Sequence, residues 1–145
     1  MIFLDTGFLF ALVTKRDENH RRVLEVMKEF RDQDLRTLAL TTNHVVEEAI
    51  TILRSGSHRD PDKAHDIAVE VGRELYAGAF GRIHHTTPSE ERAAFEYFIR
   101  HRDKEYSLTD CISFVIMEAN GITEALAVDG DFNHRFLAKP GPIQR

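Results

Sequence analysis

Cysteine is nearly absent. Cys111 stands alone, so no internal disulfide can form and a reducing, cytoplasmic setting is expected. No apolar run approaches the length needed to cross a bilayer, so no membrane role is expected. The opening Met1-Ile2-Phe3-Leu4-Asp5 lacks a basic segment and a small-residue cleavage site, and does not read as a signal peptide. There is no Gly/Pro/Ser-rich linker, no internal repeat and no low-complexity stretch, which fits one domain spanning residues 1–145. Positive charge is also in short supply. Lys and Arg number 19 against 24 Asp and Glu, a net charge of −5. That argues against holding nucleic acid by a basic surface alone. It leaves a nuclease open, because divalent cations held by acidic side chains present positive charge to phosphate.

Several chemistries lack their motifs. There is no HExxH and no Cys-Cys-His-His spacing for zinc, and no GxxxxGK[ST] or GxGxxG for a nucleotide. No GxSxG elbow supports a serine nucleophile. His84 and His85 are consecutive on an expected strand, so they face opposite sides and cannot share a metal. His44 lies four before Glu48 and could approach the same site, or simply sit as a polar residue at a helix start. Lys15-Arg16 and the run Arg100–Lys104 are basic patches that could meet RNA phosphate or be solvated loops.

What remains is a pattern of short apolar runs separated by amphipathic segments. Met1–Leu4 reads as a buried strand, Thr6–Thr14 as an apolar helix, and Asn19–Phe30 as an amphipathic helix. Thr37–Thr41 reads as a strand and Asn43–Arg54 as a helix closed by Ser55-Gly56-Ser57. A helix opens at Asp60-Pro61 and runs to about Tyr76; Arg82–Thr86 is a strand. A helix from Pro88 reaches about His101. Ser107–Asn120 is a helix so apolar that it should be central. Thr123–Val128 is a strand, followed by a tail with room for one edge strand. Strands alternating with helices predict parallel pairing: a three-layer α/β/α sandwich around a sheet of four or five strands.

Acidic residues stand where such a sheet binds ligands, beyond the carboxyl ends of its strands. Asp5 ends the first strand and Asp129 the last of the four, although either could merely cap the next helix. Glu48 lies at the border of the apolar face of its helix, between Val45 and Ile52, unless the helix phase is off by one residue. A carboxylate there costs several kcal/mol without a compensating cation or donor. Asp110 falls in the first turn of the apolar helix, where Ser107-Leu108-Thr109-Asp110 also matches a capping box. Four carboxylates form an all-oxygen set suited to Mg²⁺ or Mn²⁺ rather than Zn²⁺. Such ions activate an attacking water and neutralise a leaving oxygen, which points to phosphodiester hydrolysis.

These segments, in their order and spacing, resemble the PIN-domain family, in particular the VapC-type toxins of toxin–antitoxin pairs. The resemblance covers nearly the whole chain. It rests on Phe3-Leu4-Asp5-Thr6, on Thr42–Ala49 with Glu48, on Ser107–Phe114 with Asp110, and on Ala127-Val128-Asp129-Gly130-Asp131-Phe132. Ala127 departs from the Ser or Thr often found there, and either Asp129 or Asp131 could be the fourth acid, Asp129 being favoured because it ends the strand directly. The resemblance implies an Mg²⁺- or Mn²⁺-dependent endoribonuclease, usually a homodimer, with an antitoxin as inhibitory partner. Asp5 and Asp110 would ligate metal directly, Glu48 and Asp129 would complete the cluster, and Thr6 and Ser107 would help orient it. A non-toxin nuclease of the same family and an inactive RNA- or protein-binding domain are the alternatives; the presence of all four acids speaks against the second. A haloacid-dehalogenase-like phosphatase needs a second Asp two positions after Asp5, where this chain has Gly7.

Overall fold

Short apolar runs become strands here because each is cut off by a residue that starts a helix or a turn. The computed structural model describes residues 1–145. Strand β1 (Ile2–Leu4) is fully buried and ends at Asp5, whose side chain accepts from the Gly7 amide and opens α1 (Thr6–Val13). Helix α2 (His20–Glu29) comes after it. Next comes a single turn, α3 (Leu35–Leu38), capped by Asp34, and then β2 (Ala39–Thr42). The Thr42 hydroxyl accepts from Val45 and starts α4 (Asn43–Gly56). Asp60 caps α5 (Pro61–Tyr76), which has proline at its first position, where a missing N–H costs nothing.

After β3 (Arg82–His84), Thr87 and Glu90 form a reciprocal capping box at the head of α6 (Pro88–Arg100). A second box, Ser107 with Asp110, heads α7 (Leu108–Ala119), whose residues Cys111–Phe114, Ile116 and Met117 are buried as the sequence predicts. Gly121, at φ 64°, takes the left-handed turn that releases the chain into β4 (Glu124–Ala127). A 3₁₀ turn at Phe132–His134 leads to β5 (Leu137–Pro140).

All pairings are parallel, in the order β3-β2-β1-β4-β5. The sheet therefore has five strands, and the expected edge strand in the tail is β5. The strand expected at Thr37–Thr41 begins two residues later, because the Asp34 carboxylate accepts from Arg36 and winds Leu35–Leu38 into a helical turn. The strand expected to reach Thr86 stops at His84, since the Thr86 amide and hydroxyl turn aside to Asn43 Oδ1. No helix is long and apolar enough to cross a membrane.

The core is built on Phe3, Phe8, Leu9, Leu53, Phe114, Ile116, Leu126 and Phe132, all less than 2% exposed. From β1 the chain winds outward through β2 to β3. It then returns by α6 and α7 to the other side of β1 and continues outward through β4 to β5. The strand order thus reverses between β1 and β4. In open α/β sheets such a reversal is where ligands bind, beyond the carboxyl ends of the two strands.

Candidate active site

Asp5 and Asp129 flank the reversal. Asp5 comes directly after β1, and its amide donates to Leu126 O of β4 at 3.0 Å. Asp129 comes two residues after β4 ends. Asp110 is delivered from the N-terminal turn of α7, and Glu48 from the second turn of α4, where it is half-buried while its neighbour Glu47 is exposed. The helix phase read from the sequence is therefore right: Glu48 sits at the border of the buried face.

These acids feel one another. Asp5 is only 3% exposed, and burial holds its carboxyl well above the ordinary range, with the charges of Asp129 and Asp110 adding to the effect. Burial likewise pushes Asp110 up to about 6, opposed by its bonds with Ser107 and reinforced by Asp129 and Asp131. Asp129 is raised by burial and, more weakly, by Asp131 and Glu48, against the bond from the Asp131 amide. Asp131 is raised by burial and eased by His134. The two aspartates after β4 differ in position: the charge of Asp129 acts on Asp5, whereas Asp131 lies further out, toward His134 and Glu105.

No lysine or arginine relieves this accumulation. Every ion pair in the molecule lies elsewhere. Asp5, Asp110 and Asp129 are instead each pinned locally through one oxygen. Asp5 Oδ2 accepts from Gly7 at 3.1 Å, Asp110 Oδ2 from Ser107 at 2.8 Å and Asp129 Oδ1 from Asp131 at 3.0 Å. A carboxylate offers about four lone-pair sites, so lone pairs remain for a cation. The capping and ligating roles of Asp110 are thus compatible.

A further unsatisfied group stands beside them: Thr6 is 4% exposed and its hydroxyl has no hydrogen-bond partner. A buried hydroxyl without a partner costs about 1–3 kcal/mol. The residues fit a hard divalent cation: carboxylate oxygens only, no competing cation, and an orphaned hydroxyl at the same strand end. No three acidic or histidine side chains are drawn close enough to enclose an ion on their own.

Gly7 is a part of this site that the sequence pattern does not announce. A Cβ there would meet Val128 Cγ2 at 2.9 Å and Asp5 Oδ2 at 3.5 Å. The start of α1 therefore packs directly on the end of β4, which fixes the spacing between Asp5 and Asp129. Only the position of Gly7, two after a strand-ending acid, hints at this.

His44 does not join the acids. Its Nε2 bonds Thr86 Oγ1 at 3.0 Å and Glu91 Oε1 at 3.2 Å, tying α4 to the turn before α6. His84 is occupied by Glu90 at 3.0 Å.

This fold has known counterparts. The PIN domain matches residues 2–135. The 23S rRNA-specific endonuclease VapC20 of Mycobacterium tuberculosis, in two strains, is 33% identical over 134 residues, covering 92% of this chain and 92% of the relative. The crystal structure of M. tuberculosis VapC20, described as a sarcin-ricin loop cleaving toxin, superposes with a TM-score of 0.76 at 32% identity, over 92% of this chain and 94% of that one. The chain belongs to the PIN-domain family, and within it to the VapC type.

Proposed function

We propose that this protein is an Mg²⁺- or Mn²⁺-dependent endoribonuclease and the toxin of a toxin–antitoxin pair. The observation that carries the reading is the gathering of Asp5, Glu48, Asp110 and Asp129 at the sheet's reversal point with no basic partner. Bound there, a divalent cation supplies charge neutralisation and Lewis acidity to a phosphodiester. Asp5 and Asp110 are assigned as direct ligands, Asp129 as the fourth acid, Glu48 as the acid that completes the cluster from α4, and Asp131 as an outer flank. The chain's own contribution is placement. Gly7, Ser107 and the Asp131 amide fix three carboxylates, and the buried Thr6 hydroxyl, next in the chain to Asp5, has no partner of its own.

The relatives' substrate makes a structured loop of the large-subunit ribosomal RNA the first candidate. A cognate antitoxin protein that covers the acids is the expected inhibitor, and a homodimer the expected assembly. The test is incubation of the chain with ribosomal RNA and Mg²⁺ or Mn²⁺, with mapping of new RNA ends. The reading expects discrete cuts that disappear with EDTA. Intact RNA under every metal condition would remove the nuclease assignment and favour an RNA- or protein-binding domain of the same fold.

A further inference from the structure

Beside the acids lies a groove of about 600 Å³ lined by Tyr97, Arg100, His101, Lys104, Tyr106 and His134 together with Glu118 and Arg135. It draws on the end of α6, the loop into α7 and the 3₁₀ turn after β4, and it contains the Arg100–Lys104 run. Its floor is aromatic. Tyr97 and Tyr106 are 5% and 6% exposed and are seated on Phe114 at centroid distances of 5.9 and 5.0 Å. The His101 ring stacks on Tyr97 at 3.9 Å and 15°, and its Nδ1 donates to Tyr97 O at 2.8 Å, which leaves Nε2 available. The Arg135 guanidinium lies over Tyr97 at 5.3 Å and pairs with Glu118. Arg100 has no bonded partner, and Lys104 has only its neighbour Asp103 at 3.8 Å.

Three cations thus face one carboxylate, in a chain whose net charge is −5. The groove also adjoins the acids. Tyr106 immediately precedes the cap residue Ser107 that holds Asp110, and Asp131 lies within electrostatic reach of both Tyr106 and His134. Exposed His134 stands edge-on to Tyr106 at 6.1 Å, so its ring orientation is supported.

We infer that this groove binds the RNA strand flanking the scissile phosphate: Arg100, Lys104 and Arg135 take backbone phosphates, and the His134 ring provides a surface on which an unpaired base stacks. The inference rests on the ribonuclease reading and adds a substrate subsite to it. Cations meet phosphate wherever they occur, but an unpaired base needs an exposed ring held in place, and RNA loops are recognised by that combination. A stem-loop whose cleaved phosphate sits on the acids would run past Asp131 into this groove.

The experiment is fluorescence anisotropy with a dye-labelled RNA stem-loop, using the full chain carrying Asp5→Asn to prevent cutting. Arg100→Ala with Lys104→Ala should weaken binding about tenfold and flatten the log–log salt dependence by about 1.4, the change for two phosphates on a single strand. Arg36→Ala with Arg82→Ala removes the same charge from a hollow beside the starts of β2 and β3 and should change affinity less than about twofold. His134→Ala should weaken binding without changing the salt slope, and circular dichroism confirms folding of each variant. Equal losses from both charge pairs would reduce the effect to net charge and overturn the proposal, as would no loss from the groove pair. Loss of inhibition by a partner protein with RNA binding intact would make the groove a protein-docking face instead, and also overturns it. If the unsubstituted chain cuts no RNA, the nuclease reading fails, while the same anisotropy comparison still decides whether this groove holds RNA.

Discussion

In the acidic cluster four carboxylates gather, with Asp131 on its flank, and no lysine or arginine pairs with them. In the groove beside it, three cations stand on one wall, Arg135 lying over Tyr97, and the one carboxylate is already paired with Arg135. The cluster leaves its charge uncompensated and holds its aspartates through neighbouring backbone N–H groups. The groove supports its charges by packing, with Tyr97, Tyr106 and His101 seated on Phe114 or on one another. The first arrangement costs stability as long as its charge stays uncompensated. The second is stable alone and needs only a weakly held phosphate. Both hang on α7, which carries Asp110 in its first turn and Phe114 one turn later.

The comparison is broken most severely in the cluster. Asp5→Asn and Asp110→Asn should each reduce RNA cleavage by about 10²–10³-fold or more, measured as initial rates in Mn²⁺. In metal-free buffer the same variants should melt higher than the parent, by on the order of 1–2 kcal/mol of stability, because a buried charge is removed while Asn still accepts the local backbone bond. Strong destabilisation of both without metal would make these acids structural. Phe114→Ala should damage both regions together. Deleting a fully buried ring costs about 3–5 kcal/mol, seen as a lowered denaturation midpoint. Unchanged stability would mean that the two regions do not share this support.

Gly7→Ala is a smaller and more selective break. The added methyl collides with Val128 and crowds Asp5, so Mn²⁺ affinity should fall about tenfold with RNA affinity in EDTA little changed. Equal metal affinity would show that the close approach does not set the spacing of the acids.

The smallest effect is a pH dependence. Burial raises the carboxyls of Asp5, Asp110 and Asp129 above their unfolded values, Asp110 to about 6. Folded protein therefore holds protons that the unfolded chain releases. Without metal, the site's contribution to stability should fall as pH rises from the unfolded carboxylate range, near 4, through about 6. Melts in EDTA between about pH 5 and 7.5 should show a drop of about 3 °C, reduced in Asp110→Asn. With Mn²⁺ present the trend should weaken or reverse, because protons and metal compete for the same oxygens.

Much of this is legible in the sequence because it obeys short periods. The strands that carry the site are apolar runs stopped by a polar residue, so the pattern alone places Asp5 at a strand end; Asp129, expected directly at one, stands two residues past it because β4 stops at Ala127. Glu48 betrays itself as a charge beside a buried stripe, and Ser107 with Asp110 as a cap whose acid can do more. What escapes depends on contacts between distant segments. Gly7 matters only because Val128 lies 2.9 Å from where its Cβ would be. The unsatisfied Thr6 hydroxyl is a property of burial, not of order along the chain. An edge strand is expected in the tail, but the bounds of β5, Leu137–Pro140, cannot be read from so short a run. The basic run Arg100–Lys104 is visible, but its aromatic floor comes from Tyr97, Tyr106 and Phe114, which share no period with it.

Calorimetric titration of Mn²⁺ into the metal-free chain shows whether these acids hold a divalent cation. Mn²⁺ should bind, and binding should weaken about 10–100-fold in Asp5→Asn, Asp110→Asn and Asp129→Asn, and less in Asp131→Asn. Absence of binding, or binding indifferent to all four substitutions, would show that they do not.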